Sequence, residues 1–399
     1  MIRNNFLVFL ITLYISITIF CLWPNKIAYY DNFFLSDLRS FLLLLIFILA
    51  FIYAPPIKIN YEVIKVFFPM LLIAVFYSYI NKEFSALIPR AILFLLLANF
   101  FIKYSFSINF AWRIYLSFCF ILSIILIIKL LLNLSGSQIV YHIATSSYDA
   151  SKYFEVNFIF GSPTNIKYYR ESWHFTEANK LGYFLIPAVV WLFYNLRTKN
   201  TYLIMFITTS FILVLTFSLF TFIALFSIFI FNILLNGERV IPQLIKIAPK
   251  IFLLIIPILI IKANDIEQFY RLLDKSTSFN DRYTGIISSI AHFKENIFGT
   301  AVSDYYSANN LIEGNSTNAF VWWAKFGGIQ SLIFLFYFLI KIYRQILFLH
   351  KNANIADKSI SLGILAFILV QTFYGNYYEY FFIFLISILS ALYIKIKYE

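Results

Sequence analysis

Runs of apolar residues, each close to the length that crosses a bilayer and each closed by a charge, a proline or an asparagine cluster, constrain this chain more than any other feature. A membrane helix needs about 20 apolar residues to cross roughly 30 Å of hydrocarbon. Runs of this kind lie at Phe6–Trp23, Leu38–Ala54, Val63–Ile80, Leu87–Ile102, Trp112–Leu134 and Leu181–Leu196. Others follow at Thr201–Leu235, Leu244–Ile261, Asn318–Ile340, Ser359–Tyr374 and Glu379–Ile394. Thr201–Leu235 would be about 52 Å long as one helix. That exceeds a single crossing, so a tight helical hairpin is predicted near Phe217–Ser218.

The fold class read from these runs is an all-α polytopic integral membrane protein with about 12 transmembrane helices (11 to 13), forming one transmembrane domain over residues 1–399. Composition agrees: 61% of the residues are hydrophobic and 13% charged, against about 45–50% and 25% in a soluble domain. A water-soluble globule, a disordered chain and a disulfide scaffold are excluded. Cys21 and Cys119 sit inside apolar runs, where cysteine acts as a small hydrophobe. No small-residue cleavage site follows the first run, which is therefore read as a retained helix.

Lysine and arginine set the orientation, because short cytoplasmic loops carry an excess of them. With the N-terminus inside, the cytoplasmic segments hold Arg3, Lys58, Lys65, Lys103, Arg113, Arg197, Lys199, Arg239, Lys246, Lys250, Lys341, Arg344, Lys351, Lys358, Lys395 and Lys397. The short outer loops hold Lys26, Arg39, Lys82 and Arg90. Both termini then lie in the cytoplasm, and that face accounts for the whole formal charge of +12. The basic balance therefore reports topology and gives no support for a nucleic-acid partner.

This arrangement leaves two long loops on the outer face, at 135–180 and 262–317, with 11 of the 19 acidic residues and three of the arginines. Long loops without structure of their own are uncommon unless they are functional. The first loop ends in Tyr169-Arg170-Glu-Ser-Trp173-His174-Phe-Thr-Glu177-Ala-Asn179 and runs straight into a span. An arginine fork suits a diphosphate, with an acid and a histidine nearby as bases. The same residues also suit a polar helix start, with Glu177 at its positive end and Arg170 among headgroups.

The second loop holds Asn280-Asp281-Arg282, followed by Ile286, Ile290 and Phe293 at helical spacing, which predicts an amphipathic helix lying on the membrane. Arg282 at its start is positioned either for a ligand or for headgroups. His292, in mid-helix, reads as structural. Further on, Thr317-Asn318 leads into a span with Lys325 and the pair Gly327-Gly328. Paired glycines permit close packing. Lys325 lies about 10 Å into the span, where a charge points to function unless it snorkels to the surface. The chain has no Walker-type loop, no His-Glu-x-x-His, no Cys/His metal spacing and no Gly-x-Ser-x-Gly elbow.

These three segments, in this order, resemble the O-antigen polymerase/ligase family of bacterial envelope enzymes. Arg170 through Glu177-Ala178-Asn179 is similar to the family's Arg, aromatic, Glu-Pro-Asn segment, with Ala178 for proline. Arg282 through Glu295-Asn296-Ile-Phe-Gly299 is similar to its second segment, with Ile297 for proline. Thr317-Asn318-Ala-Phe-Val with Gly327-Gly328-Ile329 resembles the third, in which ligases carry a functional histidine. Thr317 at that position favours a polymerase over a ligase.

The resemblance implies a glycosyltransferase of the bacterial inner membrane that uses neither a cofactor nor a metal. Its donor and acceptor would be undecaprenyl-diphosphate-linked glycans, and its other partners membrane lipids and a chain-length regulator protein. A departing diphosphate builds negative charge that fixed cations must neutralise. Arg170 and Arg282 are the expected clamp, with Lys325 and Arg90 supporting. Glu177 is the first candidate for accepting the acceptor's proton, followed by Asp281 and His174. Asn179, Asn318, Trp173 and Tyr169 are expected to contact substrate. A lipid-linked oligosaccharide flippase is the alternative from another class. It would need charges within several spans and helices broken near mid-membrane.

Overall fold

A computed structural model describes residues 60–82, 87–104, 106–134, 178–196, 198–216, 219–236, 287, 289–302, 304, 319–374 and 380–398. Regular structure among the described residues is helical. The helices are α1 (Tyr61–Asn81), α2 (Leu87–Lys103), α3 (Phe106–Leu134), α4 (Ala178–Asn195), α5 (Asn200–Leu215), α6 (Leu219–Asn236), α7 (Ala319–Asn352), α8 (Ile355–Tyr374) and α9 (Tyr380–Tyr398). Five stretches are long and apolar enough to cross a membrane: α1, residues 107–128 of α3, α7, residues 355–372 of α8, and residues 381–398 of α9. Shorter apolar helices accompany them. By helix length and hydropathy this is a multi-pass membrane protein.

The helix ends follow local chemistry. Asn60 caps α1 by accepting the Glu62 amide at 2.9 Å, and Lys82 closes it in the left-handed region at φ 53°. Asn354 starts α8 reciprocally: its Oδ1 accepts the Asp357 amide at 2.9 Å while its Nδ2 donates to the Asp357 carboxylate at 2.8 Å. The long apolar stretch after Asn200 forms two helices, α5 ending at Leu215 and α6 starting at Leu219. Neither half exceeds one crossing. The predicted runs Phe6–Trp23, Leu38–Ala54 and Leu244–Ile261 lie outside the described residues.

Several helices outrun their predicted lengths. α3 begins at Phe106 rather than Trp112, and α9 continues to Tyr398. α7 continues beyond Ile340 because charge does not stop a helix whose apolar stripe persists: Ile342, Ile346 and Leu349 are buried while Lys341 and Arg344 face outward.

The chain divides into two compact bodies. The first holds described residues from 109 to 236 together with 358–367. Here the Tyr115 hydroxyl of α3 donates to the Phe184 carbonyl of α4, in a helix whose ladder is interrupted by Pro187. Phe193 of α4 packs on Phe229 of α6 with centroids 4.4 Å apart. Trp191 of α4 meets Tyr202 of α5 edge-on at 5.1 Å. The Asn195 side chain donates to the Ser359 hydroxyl at 2.8 Å. A Cβ on Gly363 would sit 2.8 Å from the Pro187 carbonyl oxygen, so this crossing needs a residue without one.

The second body holds described residues from 60 to 108, from 287 to 357 and from 368 to 398. Tyr77 of α1 stacks on Trp322 of α7 at 5.4 Å, and Phe76 stacks on Phe334 at 5.9 Å. Ser390 of α9 donates to Gln345 of α7 at 3.2 Å, a buried polar contact between apolar faces. At the start of α1, Glu62 accepts from Lys397 of α9 at 3.0 Å. The first turn of α1 and the last turn of α9 therefore share one end of this body.

Candidate functional site at the break in α7

An unbroken α-helix bonds each amide to the carbonyl four residues earlier. In α7 that would join the Ile329 amide to the Lys325 carbonyl. Gly328 intervenes with φ 68° and ψ −174°, far from helical values. Both groups then find partners in one passing segment, 296–300. The Ile329 amide donates to the Ile297 carbonyl at 2.9 Å, and the Lys325 carbonyl accepts the Thr300 amide at 3.0 Å. The Gln330 side chain adds a bond to the Phe298 carbonyl at 3.0 Å. Irregular backbone at membrane depth is tolerated where protein re-satisfies its polar groups, and this segment does so.

Glycine is required on both sides of the contact. A Cβ on Gly328 would lie 2.4 Å from the Phe298 carbonyl, and one on Gly299 would lie 2.8 Å from the Gly328 nitrogen. Gly299 also has φ +91°, a region that side chains rarely enter. The paired glycines thus permit close packing, as their composition predicts, but the element that approaches is a turn rather than a second helix.

The turn itself is built from its own sequence. Residues 289–295 are helical, and the Asn296 amide donates back to the His292 carbonyl at 2.9 Å. The Gly299 amide then donates to the Asn296 carbonyl at 2.9 Å, reversing the chain. Val302 is tied to the end of α1 by a 2.9 Å bond from its amide to Asn81 Oδ1. Of the amphipathic helix predicted around Ile286, Ile290 and Phe293, residues 287 and 289–295 are described, and they are helical. Ile287, Ile290, Ile297 and Phe298 are exposed, Phe298 by 75%, while Ser289 is buried and His292 half-buried.

The reversal brings Thr300 back to His292. His292 Nε2 and Thr300 Oγ1 are 2.8 Å apart, while the Thr300 amide holds the Lys325 carbonyl. Lys325 is 5% exposed, and its Nζ lies 5.2 Å from the Phe326 ring centroid. Burial first, and then the Lys325 charge, hold the His292 imidazole below the usual histidine range, with Glu295 pulling the other way. Histidine, threonine and lysine therefore form one cluster at the break. Trp322 and Trp323, at 4.7 Å from each other, and Tyr77 wall the same turn of α7.

Among the residues predicted to act, Lys325 is buried in this cluster, and Arg90 is half-buried in the first turn of α2. Asn179 lies in the first turn of α4. Arg170, Arg282, Glu177, Asp281, His174, Asn318, Trp173 and Tyr169 lie outside the described residues. Among the described residues, no three His, Cys, Asp or Glu side chains gather as a metal site would require. His292, which the sequence reads as structural, closes the turn through its bond to Thr300. The signal for its position was the glycine at 299: a helix that ends in a glycine turn returns the chain past its own last turns.

No known protein family, curated protein or solved structure matches the chain.

Proposed function

We propose that this protein is a surface-polysaccharide polymerase. It moves a growing glycan from undecaprenyl diphosphate onto the next lipid-linked repeat unit, at the outer face of a bacterial inner membrane, with about twelve spans and both termini cytoplasmic. The observation that carries the proposal is the junction of two of the three segments that resemble the O-antigen polymerase/ligase family. Glu295 to Gly299 and Gly327 to Ile329 are paired through the Ile329–Ile297 and Thr300–Lys325 hydrogen bonds. Segments that supply parts of one site should meet, and these two meet around a buried cation. In the proposed reaction Arg170 and Arg282 clamp the diphosphate, and Glu177, Asp281 or His174 accepts the acceptor's proton. Lys325 and Arg90 support the charge.

One observation favours a second reading. A helix broken within its span, with a lysine buried one turn before the break, is also what a lipid-linked oligosaccharide transporter would use.

The test replaces the chromosomal copy by Arg170→Ala or Arg282→Ala and sizes the surface glycan by electrophoresis. Loss of long chains with normal membrane insertion is expected in both. Wild-type chain lengths in both variants would refute the clamp.

A further inference from the structure

Basic residues gather toward the end of the second body where α1 begins and α9 finishes, and they are not equivalent. Lys65 and Lys397 both donate to the Glu62 carboxylate, at 3.1 and 3.0 Å. Among the described residues no acid pairs with Lys341 or Arg344 of α7. These two stand three positions apart, where like charges on a helix repel each other. Lys341 is half-buried and Arg344 exposed. The Lys341 Nζ lies 4.9 Å from the Tyr337 ring centroid, a contact that steadies the ammonium and supplies no counter-charge.

The surroundings of the pair are apolar. Ile333, Tyr337, Ile340 and Arg344 recur at spacings of four, three and four, which places them on one stripe of α7. Ile333, Tyr337 and Ile340 are exposed by 43% or more. The helix is long and apolar enough to cross a membrane, so in a bilayer this stripe meets lipid. Its depth follows from its neighbours. Phe334 stacks on Phe76 of α1 at 5.9 Å. Phe348 meets Tyr393 of α9 at 5.1 Å, one turn before the Lys397 that bonds to Glu62. Arg344 lies between the two contacts, about 15 Å beyond Phe334. Both cations therefore stand inside the Glu62 end of the body, where hydrocarbon gives way to headgroups. A charge there is costly unless its long side chain carries it to the polar layer.

We propose that Lys341 and Arg344 form a binding site for an anionic phospholipid, held by its headgroup phosphate on the lipid-facing side of α7. The Arg344 guanidinium presents parallel N–H groups to two phosphate oxygens, and the Lys341 ammonium adds a further donor. Tyr337 positions the ammonium, and an acyl chain runs along Ile340 and Ile333 toward the bilayer centre. Two cations without a carboxylate select a headgroup of net negative charge over a zwitterionic one. The site stands apart from glycan transfer and does not depend on it.

The test titrates phosphatidylglycerol, and separately phosphatidylcholine, into the full chain in detergent micelles and counts bound lipid by native mass spectrometry. The wild-type chain is expected to hold its first phosphatidylglycerol about 10-fold or more tighter than its first phosphatidylcholine, the gain from a charge-assisted contact. Lys341→Gln and Arg344→Gln together should remove that preference. Each alone should reduce it about threefold or more, which decides the matter if the double variant does not fold. Lys294→Gln, at an exposed position in the segment that leads to the Gly299 turn, removes the same charge elsewhere and should leave the preference intact. Equal affinity for the two lipids in the wild-type chain would overturn the site, as would an unchanged preference in the folded double variant. An equal loss in Lys294→Gln would reduce the preference to net charge and overturn it too. Inorganic phosphate in excess should displace no lipid. Displacement would assign the pair to a soluble anion and overturn the lipid.

Discussion

Ile329 gives its helical hydrogen bond to Ile297, at 2.9 Å, rather than to Lys325. That exchange lets a turn from a distant part of the chain enter α7 without leaving the Ile329 amide unpaired, and it depends on Gly328. Gly328→Ala places a methyl 2.4 Å from the Phe298 carbonyl and holds a side-chain-bearing residue at φ 68°. The expected loss is about 2–5 kcal/mol of stability, combining backbone strain and overpacking. Gly299→Ala should act in the same direction. Thermal unfolding of the purified protein in detergent measures both, and an unchanged midpoint for Gly328→Ala would contradict the close approach.

The first body has a comparable test. Gly363→Ala directs its methyl at the Pro187 carbonyl oxygen, 2.8 Å away. Backbone cannot swing aside as a flexible side chain does, so the crossing must widen. A destabilisation of about 1–3 kcal/mol is expected, read as a lower thermal midpoint with unchanged helix content.

His292 makes stability depend on pH. Its folded pKa lies below the ordinary value of 6.5, through burial and then Lys325. Between the two values the unfolded chain binds more protons than the folded one, so stability rises with pH across that window. The contribution is complete above 6.5 and is lost as pH falls toward the lowered folded value. The thermal midpoint should therefore drop between about pH 7.5 and pH 5.5, and His292→Gln should flatten this part of the dependence. An equal drop in the variant would assign it to other groups.

Thiol accessibility tests the arrangement of ends. Glu62 and Lys397 meet at 3.0 Å, so the first turn of α1 and the last turn of α9 lie on one side. In a chain with Cys21 and Cys119 replaced, Tyr61→Cys and Tyr398→Cys should both resist an impermeant thiol reagent until the inner membrane is opened. Labelling of only one of the Tyr61 and Tyr398 positions in sealed cells would contradict the shared side.

Much of the helical layout was legible because a bilayer imposes a length. Val63–Ile80 and Leu87–Ile102 became α1 and α2 with ends shifted by one or two residues. The division of Thr201–Leu235 into one helix ending at Leu215 and another starting at Leu219 followed from length alone. The extension of α7 was also written in the chain, in the spacing of Ile342, Ile346 and Leu349, but a search for apolar runs stops at Lys341. The break at Gly328 was less accessible. Gly327-Gly328 announces a close approach without saying what approaches, and the answer lies in the pairing of 297–300 with the helix, a contact between distant segments. The contact that His292 makes is hidden for the same reason. Its partner Thr300 is eight positions away, and only the turn at Gly299 makes them neighbours.

We propose that this protein transfers glycan from a polyprenyl diphosphate. The most direct measurement supplies the purified full chain in nanodiscs with a radiolabelled undecaprenyl-diphosphate-linked repeat unit, without nucleotide sugar, and resolves the products by size. A ladder of lipid-linked glycans growing one repeat at a time is expected, abolished by Arg282→Lys because a lysine cannot reproduce a bidentate guanidinium contact. A label that stays at one repeat per lipid while crossing the bilayer would contradict it and favour transport.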